Sequence, residues 1–115
     1  MINKKILRIL EKNNIILCGE PTYSPHHKEY YVEIEFYSVL REDVIETVFY
    51  NGKSKGFIEG FKALAEEFDE DEHAELWIEF RGRNGVPSSI RQLIKDAENI
   101  KATLENVSEQ LLKVA

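Results

Sequence analysis

Cysteine, methionine and tryptophan each occur once in the 115 residues, and proline occurs three times. The single thiol, Cys18, cannot close an internal disulfide, so the fold has to hold without covalent cross-links and a cytoplasmic, reducing setting is expected. The Asn106-Val107-Ser108 sequon is then expected to stay unglycosylated. No stretch approaches the roughly 18 to 20 consecutive apolar residues of a membrane span. The opening segment, Met1 to Lys12, mixes Lys and Arg into its apolar residues, unlike a signal peptide. Positive charge is also scarce: 15 Lys and Arg against 21 Asp and Glu leave a formal charge of -6. That balance disfavours a general binder of nucleic acid, whose affinity comes largely from neutralising phosphates, and it suits a partner that is itself basic.

What is present reads as one folded domain spanning 1–115. Hydrophobic residues make up 43% and charged residues 31%, spread along the chain, which excludes a disordered segment. Ile2, Ile6, Ile9 and Leu10 recur at helical spacing and predict a short amphipathic helix over 2–12, stopped at Asn13-Asn14. "IILCG" (15–19) predicts a strand, with Cys18 as a small core residue, and "EPTYSPHHKE" with its two prolines predicts a loop. "YYVEIEFY" (30–37) alternates cleanly, as a half-buried strand does. Another strand falls within "DVIETVFYNGKS" and ends at Asn51-Gly52, a pair suited to positive φ. Phe57, Ile58, Phe61, Leu64, Ala65 and Phe68 then mark one face of a helix with Ser54 as its N-cap. "ELWIEF" (75–80) alternates again and predicts a further strand. Pro87 and the Ser89-x-x-Gln92 capping box open a long helix over 87–114. The expected class is α+β, in the order α-β-β-β-α-β-α, with helices on one face of an antiparallel sheet of three to four strands.

Several groups of residues are candidates for function. The outward positions of the expected strands collect Tyr31, Glu33, Glu35, Tyr37, Glu46, Glu75, Trp77 and Glu79, an acidic face set with aromatic anchors for Arg or Lys of a partner. A solvated face is the plainer alternative. Residues 66 to 79 hold eight carboxylates and no Lys or Arg. Within them Glu66, Glu67, Asp69, Glu70, Asp71 and Glu72 could compete with phosphates for a basic groove, or could simply solubilise a connection. "DEDEH" lacks the alternation and the glycine of a calcium loop. Arg81, Arg83, Ser88 and Arg91 form a basic loop over 81–91 that would either pair with the acidic run or hold an anion, in which case the alternative function is an oligomer that binds or sequesters a small anionic or nucleotide ligand.

Ile90, Leu93, Ala97, Ile100, Leu104, Val107, Leu111 and Val114 make a seam alternating by three and four. A helix of that length, about 40 Å, overhangs a strand of about 20 Å. Its later positions, Ile100, Leu104, Val107 and Leu111, therefore need cover, either from the first helix or from a second copy, and a homodimer is expected. His26-His27, His73 and Cys18 lack metal-ligand spacing, and no pair of carboxylates or nucleophile–base pattern stands out. The expectation is a non-catalytic protein without metal or cofactor. Gly52-Lys53-Ser54 resembles the end of a phosphate-binding loop, but Thr47 stands where that loop needs its first glycine.

Two layouts resemble known families. The helix, three strands and helix of residues 2–68, with basic "GKSK" where the second helix begins, resemble double-stranded RNA-binding domains, which implies RNA binding. That family continues with more lysine, whereas this helix turns to Glu59, Glu66 and Glu67. "SKGFIEGFKALAEEFDEDEHAEL" (54–76), an amphipathic helix followed by a carboxylate run, resembles some phage anti-CRISPR proteins. That resemblance implies an inhibitor whose acidic surface, Glu66 to Glu72, occupies the basic nucleic-acid groove of a nuclease, with no direct contact to nucleic acid or membrane.

Overall fold

Asn3 sets the start of the first helix, α1 (Lys4–Lys12): its Oδ1 accepts from the Ile6 N–H at 3.0 Å. Ile6 and Leu10 face inward, and Asn14, at φ 62, turns the chain out of the helix. The computed structural model describes residues 2–36, 45–84 and 90–114, the side chains of 79–84 excepted. The expectation for Tyr37 and the expectations for Pro87, Ser88 and Ser89 lie outside those residues.

Three antiparallel strands follow in the order β1-β2-β3: β1 (Ile15–Ser24), β2 (Glu29–Phe36) and β3 (Ile45–Tyr50). β1 runs past Gly19 through the first half of the expected loop, to Ser24. It does so because the ladder is interrupted between Cys18 and Thr22, where Gly19 takes φ +86, so Pro21 sits where no ladder hydrogen bond is lost. The pairings Leu17 with Ile34, Ile34 with Glu46, Val32 with Val48 and Tyr30 with Tyr50 define the inner face. Ile15, Val32, Ile34, Phe36, Val48 and Tyr50 on that face are buried under the helices.

The helices are α2 (Ser54–Glu67), α3 (Glu70–Asn84) and α4 (Ile90–Leu112). Lys53, not Ser54, is the N-cap of α2. Ser54 is the first helical residue, and its Oγ accepts from the Asn3 N–H at 3.0 Å, which ties the start of α2 to the start of α1. Phe57, Ile58, Phe61 and Ala65 bury the expected face of α2. The helix lies so close to β3 that a Cβ on Gly60 would stand 2.2 Å from the Phe49 carbonyl oxygen. At its far end Lys101 of α4 donates through Nζ to the Ala65 carbonyl, a cation where the helix dipole is negative.

The fold class is therefore α+β as expected, with one element changed: residues 75–80 are helix, not strand. The carboxylates just before them explain the change. Asp69 Oδ1 accepts from the Asp71 and Glu72 N–H groups at 2.9 and 3.2 Å, and Glu70, Asp71 and Glu72 occupy the first turn, where the dipole favours negative charge. His73 and Trp77 then stack at a centroid separation of 6.3 Å. Four residues along a strand would separate them by about 13 Å. α3 packs on α4, and α4 packs on α2 and α1. The α4 seam is covered inside the chain from Leu93 onward, where Leu93, Ala97, Ile100, Leu104, Val107 and Leu111 are all between 0% and 1% exposed, whereas Ile90 at its start is 46% exposed. Of the two covers the seam required, the structure supplies the one within the chain, because α1 and α2 lie along it.

Candidate functional site

The fold sorts charge that the composition leaves mixed. Residues 1–62 carry nine Lys or Arg and nine Asp or Glu, whereas residues 63–115 carry six and twelve. The hairpin turn between β1 and β2, the end of β3 and the start of α2 lie at one end of the sheet, since Ser24 pairs with Glu29 and Tyr30 with Tyr50. The Asn3 to Ser54 hydrogen bond brings the start of α1 to the same end. Lys4, Lys5, Lys28, Lys53 and Lys55 are exposed there, with His26 and His27 in the turn. His27 is held by its Nδ1 contact to Ser24 Oγ at 3.1 Å and by its ring on Phe49, 5.0 Å between centroids.

Neither α1 nor α2 has an acidic residue in its first turn, where the dipole favours one. Lysines stand at both starts instead, and none of Lys4, Lys5, Lys53 and Lys55 pairs with a carboxylate among the described residues. α3, in contrast, begins with three acids. Like charge gathered where two helix dipoles are both positive is unfavourable for folding and favourable for an anion. Each helix alone carries this signal in its sequence: lysines in a first turn that lacks acid. Their meeting across 51 residues is visible only in the fold.

The opposite end is acidic. Glu66, Glu67, Asp69, Asp71 and Glu72 are exposed and Glu70 is half-buried. Glu46, expected on the outer face, points inward by its pairing with Ile34 and joins Glu67, Asp69, Glu72, His73 and Leu76 around a shallow cleft. Burial holds its carboxyl above the usual carboxylate range. A pKa raised on folding means the native state holds the proton more tightly than the unfolded chain, so ionisation costs stability as pH rises through the shifted value. Glu46→Gln is expected to raise the melting temperature at about pH 7 and to give no gain at about pH 3, where both states are protonated. Paired thermal melts at the two pH values check this.

The acidic aromatic face divides. Tyr31, Glu33 and Glu35 do share the outer face of the sheet, beside Ile16, Thr47 and Phe49. Glu75, Trp77 and Glu79 belong to α3 and are not part of it. Cys18 also faces outward, not into the core, and its thiol donates to Glu35 Oε2 at 3.8 Å. Burial first and the Glu35 charge second push the thiol pKa up, the reverse of an activated nucleophile.

Arg81 and Arg83 lie within α3, not in a loop, and Arg91 is exposed in the first turn of α4. Among the described residues no group of three His, Cys, Asp or Glu is arranged to hold a metal ion. Among them, too, no helix is long and apolar enough to cross a membrane. Comparison with protein-family models, curated proteins and solved structures returns no match.

Proposed function

We propose that the lysine-rich end binds the phosphate backbone of nucleic acid, with duplex RNA as the ligand its geometry fits best. The observation that carries this reading is the meeting of two lysine-bearing helix starts at the Asn3 to Ser54 hydrogen bond. Residues 2–68 supply a helix, three antiparallel strands and a second helix, the order of double-stranded RNA-binding domains. Those modules read shape and phosphates over about 16 base pairs more than sequence. The net charge does not oppose this, because the carboxylate run of residues 66–72 sits at the far end of the sheet and exposed charges more than about 10 Å apart are largely screened at 0.1 M salt. Of the described residues, only Glu20 and Glu29 stand among the lysines and histidines of this end.

The test is anisotropy of a labelled RNA duplex of about 16 base pairs at several salt concentrations. The double variant Lys53→Ala, Lys55→Ala is expected to bind about tenfold more weakly, with a log–log salt slope shallower by about 2. Asp69→Asn, which keeps a capping side chain, should leave affinity the same or better. No binding by the wild type at low salt, or an unchanged slope in the double variant, rejects the proposal.

A second reading rests on the other end. Glu66, Glu67 and Asp69 to Glu72, together with Leu76 at 64% exposure beside them, suit a basic protein surface such as a nucleic-acid-binding groove, in the manner of an inhibitor. A captured partner held equally by the wild type and by the Glu70→Gln, Asp71→Asn, Glu72→Gln variant counts against it.

A further inference from the structure

A cavity opens at the lysine-rich end, between α1, the irregular part of β1 and the turn before α2. Its volume is about 460 Å³, within the range of small-ligand sites. Leu7, Leu17, Pro21, Tyr30 and Tyr50 form apolar and aromatic walls, and Glu20 is on its lining. The two positive-φ glycines, Gly19 and Gly52, also line it. Gly52 fixes one wall: a Cβ there would stand 2.8 Å from the Tyr30 ring, so only glycine lets that ring lie over the turn.

Tyr50 closes the inner wall: it is 3% exposed, and its ring is held edge-on to Phe57 at 5.5 Å and tilted against Tyr30 at 6.4 Å. An occupant beside these rings is favoured by a flat aromatic face of its own. Glu20, an acceptor only, adds a demand for an N–H donor. Lys53 follows Gly52 directly, and Lys4 and Lys5 follow Ile2, another lining residue, so an anionic group belongs at the mouth. A flat ring with N–H groups on its edge and a phosphate beyond it is a nucleotide. A fatty acid has the anionic group but offers nothing to Glu20.

We propose that this cavity takes the base of an unpaired nucleotide whose phosphate rests on the neighbouring lysines. The proposal rests on the phosphate-binding reading of the same end and adds to it a preference for a free end or bulge over a blunt duplex.

Two measurements test it on the full chain. Nucleoside 5′-monophosphates titrated into ¹⁵N-labelled protein are expected to shift the Gly19 and Gly52 amides, and decanoate is not. An RNA duplex with one unpaired 3′ nucleotide is expected to bind about tenfold more tightly than the blunt duplex, the gain of one stacked base. Leu7→Trp, at a position already 37% exposed, fills the cavity and should bring the ratio of the two affinities to about one. Equal affinity for the two duplexes in the wild type overturns the proposal while leaving the phosphate reading intact. Should neither duplex bind, the phosphate reading fails and the titration alone decides: amide shifts at the two glycines uphold the cavity as a nucleotide site, and none overturns it. Shifts with decanoate equal to those with nucleotide also overturn it.

Discussion

Phe57→Ala is expected to destabilise the domain by about 3–5 kcal/mol, a large part of the roughly 5–15 kcal/mol that holds a domain of this size together. Phe57 is fully buried, stands edge-on to Tyr50 at 5.5 Å and lies 6.1 Å from Phe61. It therefore joins α2 to the inner face of β3, and truncation leaves a cavity between two elements that neither helix nor sheet can close alone. The loss of transfer free energy and the unfilled volume add together. Denaturant unfolding should show a lower midpoint with an unchanged slope. A loss under about 1 kcal/mol would mean that this interface collapses around the gap or is not packed as described.

The second large effect is expected from a gain of atoms. Gly60→Val should cost about 3 kcal/mol, because its Cβ meets a backbone carbonyl, the Phe49 oxygen, at 2.2 Å, and backbone cannot rotate away. α2 would have to lift off β3. Gly56→Ala in the same helix is the contrast. A Cβ there approaches the Asn51 side-chain oxygen at 1.9 Å, and that side chain can turn aside only by giving up the hydrogen bond its Oδ1 accepts from the Lys53 N–H at 3.0 Å. Alanine favours helix over glycine by about 1 kcal/mol, about the worth of that one bond, so Gly56→Ala should be close to neutral. Comparable losses in the two variants would show that the Asn51 side chain yields no more readily than the Phe49 backbone.

The elements that were legible in the sequence are those whose side chains repeat against one surface. Val32, Ile34 and Phe36 alternate because β2 is covered on one face, and Phe57, Phe61 and Ala65 recur because α2 is covered along one stripe. α3 has no such stripe. Ala74 is buried while Leu76 is 64% exposed, so its apolar residues fall at positions that look alternating, as in a strand. The signal that identifies it lies upstream, in Asp69 and the acids after it, where a row of carboxylates is a helix start as much as a surface. Pro21 concealed the continuation of β1, since a proline argues against a strand except at an irregularity that only pairing reveals. Glu46 shares the inner face of Val48 and Tyr50 by alternation alone, and it reads as outward only because a carboxylate is expected in solvent. The lysine-rich end depends on contacts between residues 3 and 54, and the cavity wall at Tyr50 on the rings packed around it. Local periodicity cannot express either one.

The opposed ends of the sheet decide what kind of contact two copies of the chain would make if they met through charge. A basic end set against the acidic end of a second molecule would leave one of each unsatisfied, so the contact would repeat instead of closing as a two-fold pair does. Such a string would lengthen at low salt and dissolve as the ionic strength rises, which light scattering across a salt series would register. A phosphate ligand on the lysines would end the string by neutralising its growing tip.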